Sequence, residues 1–238
     1  LYKLLDKIPS IKYYKSKDNN FKALLKLQLF EPLEEIKISK QIKKVGFITD
    51  PISQKVRSQY EENPYPRWKS EDTSKTSKSS ITLLINNEIR PNSITYDFKS
   101  NPLNVLIAGC GTGLQIIHAQ RYKNAKITAI DISCSSLSFA QRKINELGIN
   151  NVNLIQMDIL DISQLNQSFD IIECCGVLHH MADPQQGLNA LLNTINPNGF
   201  LRLSLYSELS RKIIIKAREY IKAKKINPDI DSIRNFRK

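Results

Sequence analysis

The sequence lacks the features of membrane, secreted and metal-binding proteins. No apolar run reaches the roughly 18 residues that cross a bilayer, and Lys3, Lys7 and Lys12 interrupt the segment where a secretory signal would lie. Only four cysteines and three histidines occur in 238 residues, with no CxxC pair and no cluster at metal-ligand spacing. We therefore expect no bound metal, no membrane association and a reduced, cytoplasmic location. The first residue is Leu rather than Met, which favours a fragment or a processed product.

Charge of one sign is missing from part of the chain. The net charge is +12, yet residues 151–200 contain no Lys or Arg. A basic chain is typical of nucleic-acid binding, but here the basic segments lack the interleaved aromatic residues on which bases stack. A nucleic-acid partner therefore stays open but unsupported.

The N-terminal region has helical periodicity. Apolar residues recur at helical spacing over residues 21–45, and Pro32 is expected to divide this stretch into two short amphipathic helices. A third helix is predicted over residues 53–62, followed by a proline-rich segment at 63–68 and a polar loop at 69–80. These patterns predict a helical extension over residues 1–68 and a polar linker with a connecting segment over residues 69–100.

Short apolar runs alternate with helical stretches from about residue 103 onward. Runs of this kind predict βαβ units and a doubly wound, mostly parallel α/β sheet that is buried on both faces. The predicted strands are 104–108, 126–130, 152–156, 169–174 and 199–205, with helices over 114–122 and 135–147. No strand hairpin is visible after residue 205, so the domain over residues 101–238 is expected to be truncated at its C-terminal end.

Three of the eight glycines, Gly109, Gly111 and Gly113, follow the first predicted strand of this sheet. Ligands of open parallel sheets bind at the carboxyl ends of the strands, where glycines let the backbone approach closely. The spacing differs from the G-x-G-x-x-G of a pyrophosphate loop. Asp131 and Asp158 follow the next two predicted strands. The carboxylate of Asp131 can accept hydrogen bonds from ribose hydroxyls, and that of Asp158 from an adenine amino group. The sequence thus predicts an adenosine-bearing ligand without a pyrophosphate.

At these residues the sequence resembles the class I S-adenosylmethionine-dependent methyltransferases, whose motifs are similar to VLIAGCGTG, ITAID, QMDIL, FDIIECCGVLHHMADP and INPNGFLRLSLY in this order. The resemblance implies a seven-stranded Rossmann-like sheet, S-adenosylmethionine as the cofactor, and methyl transfer to an acceptor that it does not identify. The cofactor-binding residues that it implies are Ala108, Gly109, Cys110, Gly111, Gly113, Asp131, Asp158, Ile159 and Cys175. An acid usual in the family two residues before the first glycine is replaced by Ile107.

A second resemblance lies in SQYEENPYPRW, which is similar to a bacterial subgroup that often carries tetratricopeptide repeats; no 34-residue repeat is evident here. Two interpretations of this segment stay open. Tyr60, Tyr65, Arg67 and Trp68 form a lid over cofactor or substrate, with Arg67 pairing a carboxylate, or the segment only docks the N-terminal helices on the sheet.

His179 and His180 follow the fourth predicted strand, where an acceptor would enter, and are the candidate catalytic residues. The alternative is that one packs and the other forms a local hydrogen bond. Cys174 and Cys175 are poor candidate nucleophiles, because residues 151–200 hold no cation to lower a thiol pKa. Two other functions stay open: a nucleotide-dependent oxidoreductase, and a non-catalytic interaction protein that keeps the fold. The acceptor can be a protein side chain, a small metabolite, a glycan or RNA.

Overall fold

The structure is a computed structural model that describes residues 10, 15, 17–70, 77–91, 93–96, 98, 101–227 and 229–237, without the side chain of residue 230. The chain divides after Leu203 into two compact units. The strands are β1 (Lys43–Lys44), β2 (Leu103–Ala108), β3 (Ala125–Asp131), β4 (Val152–Gln156), β5 (Phe169–Cys175) and β6 (Ile195–Ser204). The helices are α1 (Asn19–Leu25), α2 (Glu31–Ser39), α3 (Pro51–Glu62), α4 (Ile81–Glu88), α5 (Leu114–Ala119), α6 (Cys134–Glu146), α7 (Pro184–Leu192), α8 (Lys212–Ala223) and α9 (Ile230–Phe236).

The strands form one doubly wound sheet in the order β1-β4-β3-β2-β5-β6, which confirms the predicted fold class. The pairs β1–β4, β4–β3, β3–β2 and β2–β5 are all parallel. In the centre of the sheet, Val105 of β2 lies between Ile127 of β3 and Ile171 of β5. The chain order reverses between β2 and β5, so the switch point at which ligands of such sheets bind lies beside β2.

Side chains of the central strands alternate between two apolar layers. Val105 and Ile107 of β2 pack in the layer formed with α2, α4, α5 and α6, whereas Leu106 and Ala108 pack in the layer formed with α7 and the 3₁₀ helix Ile159–Leu165. Each of these four side chains is fully buried. Because both faces are covered, most residues of the central strands are apolar.

Pro32 does not divide the N-terminal stretch as expected. The backbone stays helical from α1 through a π-helical turn, Lys26–Phe30, into α2, where Pro32 occupies the first turn. In the π-helical turn the Glu31 N–H donates to the Lys26 carbonyl, which shifts the hydrogen-bonding register just before the residue that has no N–H. A local change of helix type thus accommodates the proline.

Two further elements correct the sequence-based expectations. Lys43 and Lys44, placed in a helical stretch by periodicity, form the edge strand β1 beside β4, because two residues are too few to show a strand pattern. In the expected linker, Ser80 caps α4, whose Ile81 and Ile85 are buried in the core. The predicted polar loop at 69–80 falls in part on residues 71–76, which lie outside the described residues. The boundaries 1–68, 69–100 and 101–238 stay a prediction.

The second unit contains the 3₁₀ helix Leu209–Arg211, α8 and α9. Within it the rings of Tyr220 and Phe236 lie 6.0 Å apart between centroids. Among the helices of the described residues, none has the length and apolar character to cross a membrane.

Candidate functional site

The loop after β2 is held against the end of β3 by backbone hydrogen bonds. The N–H groups of Gly109 and Cys110 both donate to the Ile130 carbonyl, at 2.8 and 3.0 Å. Gly109 has φ +72°, and a Cβ there would lie 2.4 Å from Val177 Cγ2. Gly113 precedes α5 with φ +88°, and its Cβ would lie 2.8 Å from Ala140 Cβ. Both positions therefore need glycine for conformation and for close approach.

Asp131, at the end of β3, connects the glycine loop to the start of α6. Its Oδ2 accepts the Gly111 N–H and its Oδ1 accepts the Ser133 N–H, each at 2.8 Å. The pKa of Asp131 is raised to about 6, because burial and, to a smaller extent, the nearby Glu61 charge outweigh the backbone hydrogen bonds that lower it. Asp131 thus holds the loop in place and still has lone pairs for a hydroxyl donor.

Asp158 follows β4 and begins the 3₁₀ helix Ile159–Leu165. Its Oδ1 accepts the Leu160 N–H at 3.1 Å, and both Asp158 and Ile159 are buried. The neighbouring Met157 N–H donates to the Asp131 carbonyl at 3.0 Å. The structure therefore brings the two predicted acids to adjacent strand ends.

The end of β5 lies on the other side of the glycine loop. The Gln115 side chain, in the first turn of α5, donates from Nε2 to the Cys175 carbonyl at 3.2 Å. Burial raises the pKa of the Cys174 thiol to about 12 and also raises the thiol pKa of Cys110 and of Cys175. These thiols are protonated near neutral pH, which disfavours a thiolate nucleophile here.

Glu173 is a buried acid near the carboxyl end of β5. Its Oε1 accepts from the Tyr122 hydroxyl and from Arg121 Nη2, the latter at 3.3 Å, and its Oε2 lies 3.5 Å from Arg202 Nη1. Glu173 is also the register partner of Ile107, the position where the resembled family carries an acid. The Glu173 carboxylate is thus engaged by two arginines and a tyrosine.

His179 and His180 lie in a 3₁₀ turn, Leu178–His180, that follows β5. Both are half-buried, and their ring centroids are 4.3 Å apart. Helix α3 packs against this turn, so the two histidines lie between the sheet end and the N-terminal extension.

The proline-rich segment after α3 lies directly on the glycine loop. The Thr112 hydroxyl donates to the Pro66 carbonyl at 2.6 Å, and the Trp68 indole N–H donates to the Thr112 carbonyl at 3.1 Å. Tyr65 is 74% exposed, and Tyr60 is half-buried on α3. Sequence reasoning missed Thr112, because its hydroxyl becomes informative only when its partner 46 residues earlier is known.

Arg67 turns away from the loop toward α2 and α6. Its Nη2 lies 3.0 Å from Glu35 Oε1, and its guanidinium stacks over the Phe139 ring at 4.8 Å. The same Glu35 oxygen is 3.0 Å from the fully buried Arg142, which also contacts Glu31 and Glu146. These are contacts that the docking interpretation predicts for Arg67, and the lid interpretation of Tyr60 and Tyr65 stays a prediction.

A parallel sheet whose glycine loop and acidic strand ends meet beside the switch point has the arrangement of nucleotide-binding α/β proteins. A family profile described as a methyltransferase domain matches residues 99–232, more than half of the chain. The chain therefore belongs to the methyltransferase-domain family.

Comparison with individual proteins gives similarities over part of their lengths. An uncharacterized protein of Synechococcus is 40% identical over 119 residues, 49% of this chain and 28% of that protein. A malonyl-(acyl-carrier protein) O-methyltransferase of Acetivibrio thermocellus is 31% identical over 118 residues, 49% of this chain and 40% of that protein. The solved structure of PKMT2 from Rickettsia typhi in complex with AdoHcy is 26% identical, with a TM-score of 0.49 and coverage of 58% and 27%. This chain spans less than half the length of each.

Proposed function

We propose that the chain is an S-adenosylmethionine-dependent methyltransferase acting on an acceptor still to be identified. One observation carries this proposal: Asp131 binds the glycine loop through the Gly111 N–H, and Asp158 follows β4, the strand next to β3. Two acids beside a glycine loop without the pyrophosphate spacing suit an adenosine with a sulfonium side chain. Membership in the methyltransferase-domain family supports the same cofactor.

The residues present fit this cofactor. Positive φ values at Gly109 and Gly113, with no room for a Cβ at either, keep side chains out of the loop that would face it. Asp131 would hold the ribose hydroxyls and Asp158 the adenine amino group, with Ile159 packing at the ring. The methionyl part of the cofactor would be held by the backbone of residues 108–111 and by the end of β5 at Cys175.

When bound, S-adenosylmethionine supplies a methyl group already activated by the positive charge on its sulfur. The chain must then hold the acceptor in line with the methyl group and exclude water. His179 and His180 lie at the end of β5 and would take a proton from an acceptor that loses one as it attacks. The buried Cys174 thiol, with its pKa raised to about 12, would stay neutral.

The N-terminal extension would complete the site in this proposal. Through its contacts with Thr112, the segment of Pro66 and Trp68 rests on the loop that would carry the cofactor. Tyr65 is exposed next to it, and Tyr60 lies on α3, which packs against the histidine turn. Tyr60 and Tyr65 would therefore form the wall that faces the acceptor, with Trp68 holding the segment down.

The acceptor class is the open part of the proposal. The malonyl-(acyl-carrier protein) O-methyltransferase among the relatives makes an oxygen acceptor on a small or carrier-bound molecule the first class to test. Proteins, glycans and RNA are the further classes, and the basic charge alone supports none of them. A cytoplasmic location and membership in the repeat-bearing bacterial subgroup remain proposals from the sequence.

Calorimetric titration with S-adenosylhomocysteine, followed by incubation of the chain with lysate and a methyl-labelled donor, tests the function. We expect binding to the unaltered chain and label in one size class of acceptor. Gly111→Val should abolish binding, because the residue has φ +51° and its N–H holds Asp131. Gly148→Val is the matched control, since Gly148 also has positive φ but lies at the exposed end of α6.

Each alternative function has its own result in this experiment. Binding of a nicotinamide dinucleotide in place of S-adenosylhomocysteine would indicate an oxidoreductase. Cofactor binding without label in any lysate fraction would indicate a non-catalytic interaction protein. Undiminished binding by Gly111→Val would contradict the proposed site.

A further inference from the structure

A hydrogen-bond acceptor is buried without a partner beside the switch point of the sheet. The Oε1 atom of Gln115 has no contact with solvent, and no donor among the described residues reaches it. Buried polar atoms of folded proteins nearly always have a partner, so an acceptor left without one at a ligand-binding edge indicates a donor on the ligand.

The orientation of the Gln115 amide is fixed by its other end. Nε2 donates to the Cys175 carbonyl at 3.2 Å, and exchanging the two amide atoms would place oxygen against oxygen. Oε1 therefore stays the free end of the amide. Gln115 follows the glycine loop in the first turn of α5, and Cys175 is the last residue of β5. The free acceptor thus lies beside the last residue of β5, whereas Asp131 ends β3 and Asp158 follows β4.

The charge of this end indicates which donor fits. An adenosine held by Asp131 and Asp158 on the β3 and β4 side would leave the other part of the cofactor toward β5, on the opposite side of β2. Ile107 supplies no carboxylate, and Glu173 across from it is engaged by Arg121, Arg202 and Tyr122. Carbonyl oxygens, including Cys175 O and Gln115 Oε1, are then the acceptors that this end offers to a cationic donor.

We propose that Gln115 binds the amino group of the methionyl part of S-adenosylmethionine, with Oε1 accepting one ammonium N–H. This inference rests on the proposed function and assigns a binding role to a residue that the glycine loop and the strand-end acids do not include. This hydrogen bond would let the chain recognise the amino group of the cofactor although position 107 is Ile rather than an acid. A hydrogen bond to a charged donor is stronger than a neutral one, so its removal should be measurable.

The test compares two ligands that differ only in the amino group. The probes are S-adenosylhomocysteine and its des-amino analogue, in which hydrogen replaces the amino group, titrated calorimetrically into the full chain. The unaltered chain should bind S-adenosylhomocysteine at least about tenfold more tightly, the factor that one charge-assisted hydrogen bond supplies. Gln115→Met, which has a similar length but no acceptor, should reduce this ratio about tenfold and leave the affinity for the analogue nearly unchanged.

The matched control is Gln120→Met, at the end of the same helix, where the side chain bonds only to the Ile116 carbonyl. It should leave both affinities and their ratio unchanged. If Gln115→Met does not fold, as judged by circular dichroism, Gln115→Glu decides the question. It keeps an acceptor oxygen while losing the donor to Cys175, so a preference for the amino-bearing ligand must persist.

The possible outcomes distinguish a wrong role for Gln115 from a wrong proposed function. Tight binding of S-adenosylhomocysteine with an unchanged ratio in folded Gln115→Met overturns the role of Gln115 and leaves the methyltransferase proposal standing. An equal loss of affinity for both ligands shows a structural role and likewise overturns it, as does loss of the preference in Gln115→Glu. No binding of either ligand to the unaltered chain overturns the proposed function itself.

Discussion

Glu61 of α3 caps the start of α6 at Ser135. Its Oε2 accepts both the Ser135 N–H, at 2.9 Å, and the Ser135 hydroxyl, at 2.6 Å, while its Oε1 accepts the Cys134 N–H at 2.7 Å. A residue of α3 thus satisfies helix-end donors of α6. Because Glu61 also raises the pKa of Asp131, α3 acts on the electrostatics of the candidate cofactor site.

Removing the Glu61 carboxylate should destabilise the fold. We expect Glu61→Ala to lower the free energy of unfolding by about 1–2 kcal/mol, because the first turn of α6 loses its carboxylate acceptor. Urea denaturation followed by circular dichroism measures the change. Glu62→Ala, at the neighbouring exposed position, is the control and should have little effect. Equal stability of the two variants would show that water replaces Glu61 at no cost.

The buried Arg142 should contribute far more than a surface arginine. Its guanidinium has no exposed surface and lies within 3.1 Å of Glu31, Glu35 and Glu146. Arg142→Met would remove the cation that these three carboxylates share, leaving Glu35 with Arg67 and Glu146 with Lys143, at a cost of about 3–5 kcal/mol. In Arg234→Met, by contrast, an exposed pair with Asp231 is lost, and a change below about 0.5 kcal/mol is expected. Chemical denaturation of both variants gives the comparison, which similar losses would contradict.

The Thr112 hydroxyl should hold the proline-rich segment on the glycine loop. Trp68 is the only tryptophan of the chain, so the tryptophan fluorescence reports on the surroundings of this segment. We expect Thr112→Val to shift the Trp68 emission to longer wavelength and to increase quenching by iodide, because the bond to the Pro66 carbonyl is lost. Thr82→Val removes a similar bond, to the Tyr96 carbonyl, and should leave the spectrum unchanged. An unaltered spectrum in Thr112→Val would mean that Trp68 packing alone fixes the segment.

How far the sequence predicts this protein depends on the range of the interactions involved. The periodicity of apolar residues predicts the strand Val152–Gln156 correctly and places the other central strand ends within a few residues. It does not predict β1, whose two lysines become a strand only because the edge of β4 is available. Local patterns thus predict the sheet, whereas an edge pairing that joins residues over 110 positions apart leaves no local signal.

The candidate site divides in the same way. The glycines and Asp131 can be predicted from the sequence because each lies at, or within a few residues of, the end of a predicted strand. The ends of parallel strands meet at one edge of the sheet. Glu61 and Gln115 are not found, because their partners Ser135 and Cys175 lie 74 and 60 positions away. Burial, which raises the pKa of Asp131, is likewise a property of the packed structure and of no sequence pattern.

Cofactor affinity should depend on pH through Asp131. Its carboxyl, with a pKa of about 6, is mainly protonated below that pH and ionised above it, and an ionised carboxylate accepts hydroxyl hydrogen bonds more strongly. We therefore expect the affinity for S-adenosylhomocysteine to rise as the pH increases through about 6. Calorimetry between pH 5 and 8 measures this rise.

The variant Asp131→Asn isolates the contribution of Asp131 from that of other groups. It should bind more weakly at pH 8 and lose the Asp131 part of the rise. The folded-state pKa lies above the ordinary value of 3.8, so the folded chain holds the proton more tightly than the unfolded chain. This tighter proton binding stabilises the folded state fully below about pH 4, and the stabilisation is lost as the pH rises through about 6. A pH profile identical in both proteins would contradict this role.

Gly113 and Gly148 form a matched pair that separates backbone strain from close packing. Both have positive φ, +88° and +65°, but a Cβ at Gly113 would meet Ala140 at 2.8 Å, whereas at Gly148 no atom lies within 4 Å. Gly148→Ala should cost about 1 kcal/mol through backbone strain alone. Gly113→Ala should cost at least about 2 kcal/mol, because α5 must also move away from α6, and it should weaken cofactor binding as the loop shifts. Thermal and urea denaturation of the two variants give the difference, and equal losses would show that the contact between α5 and α6 yields without cost.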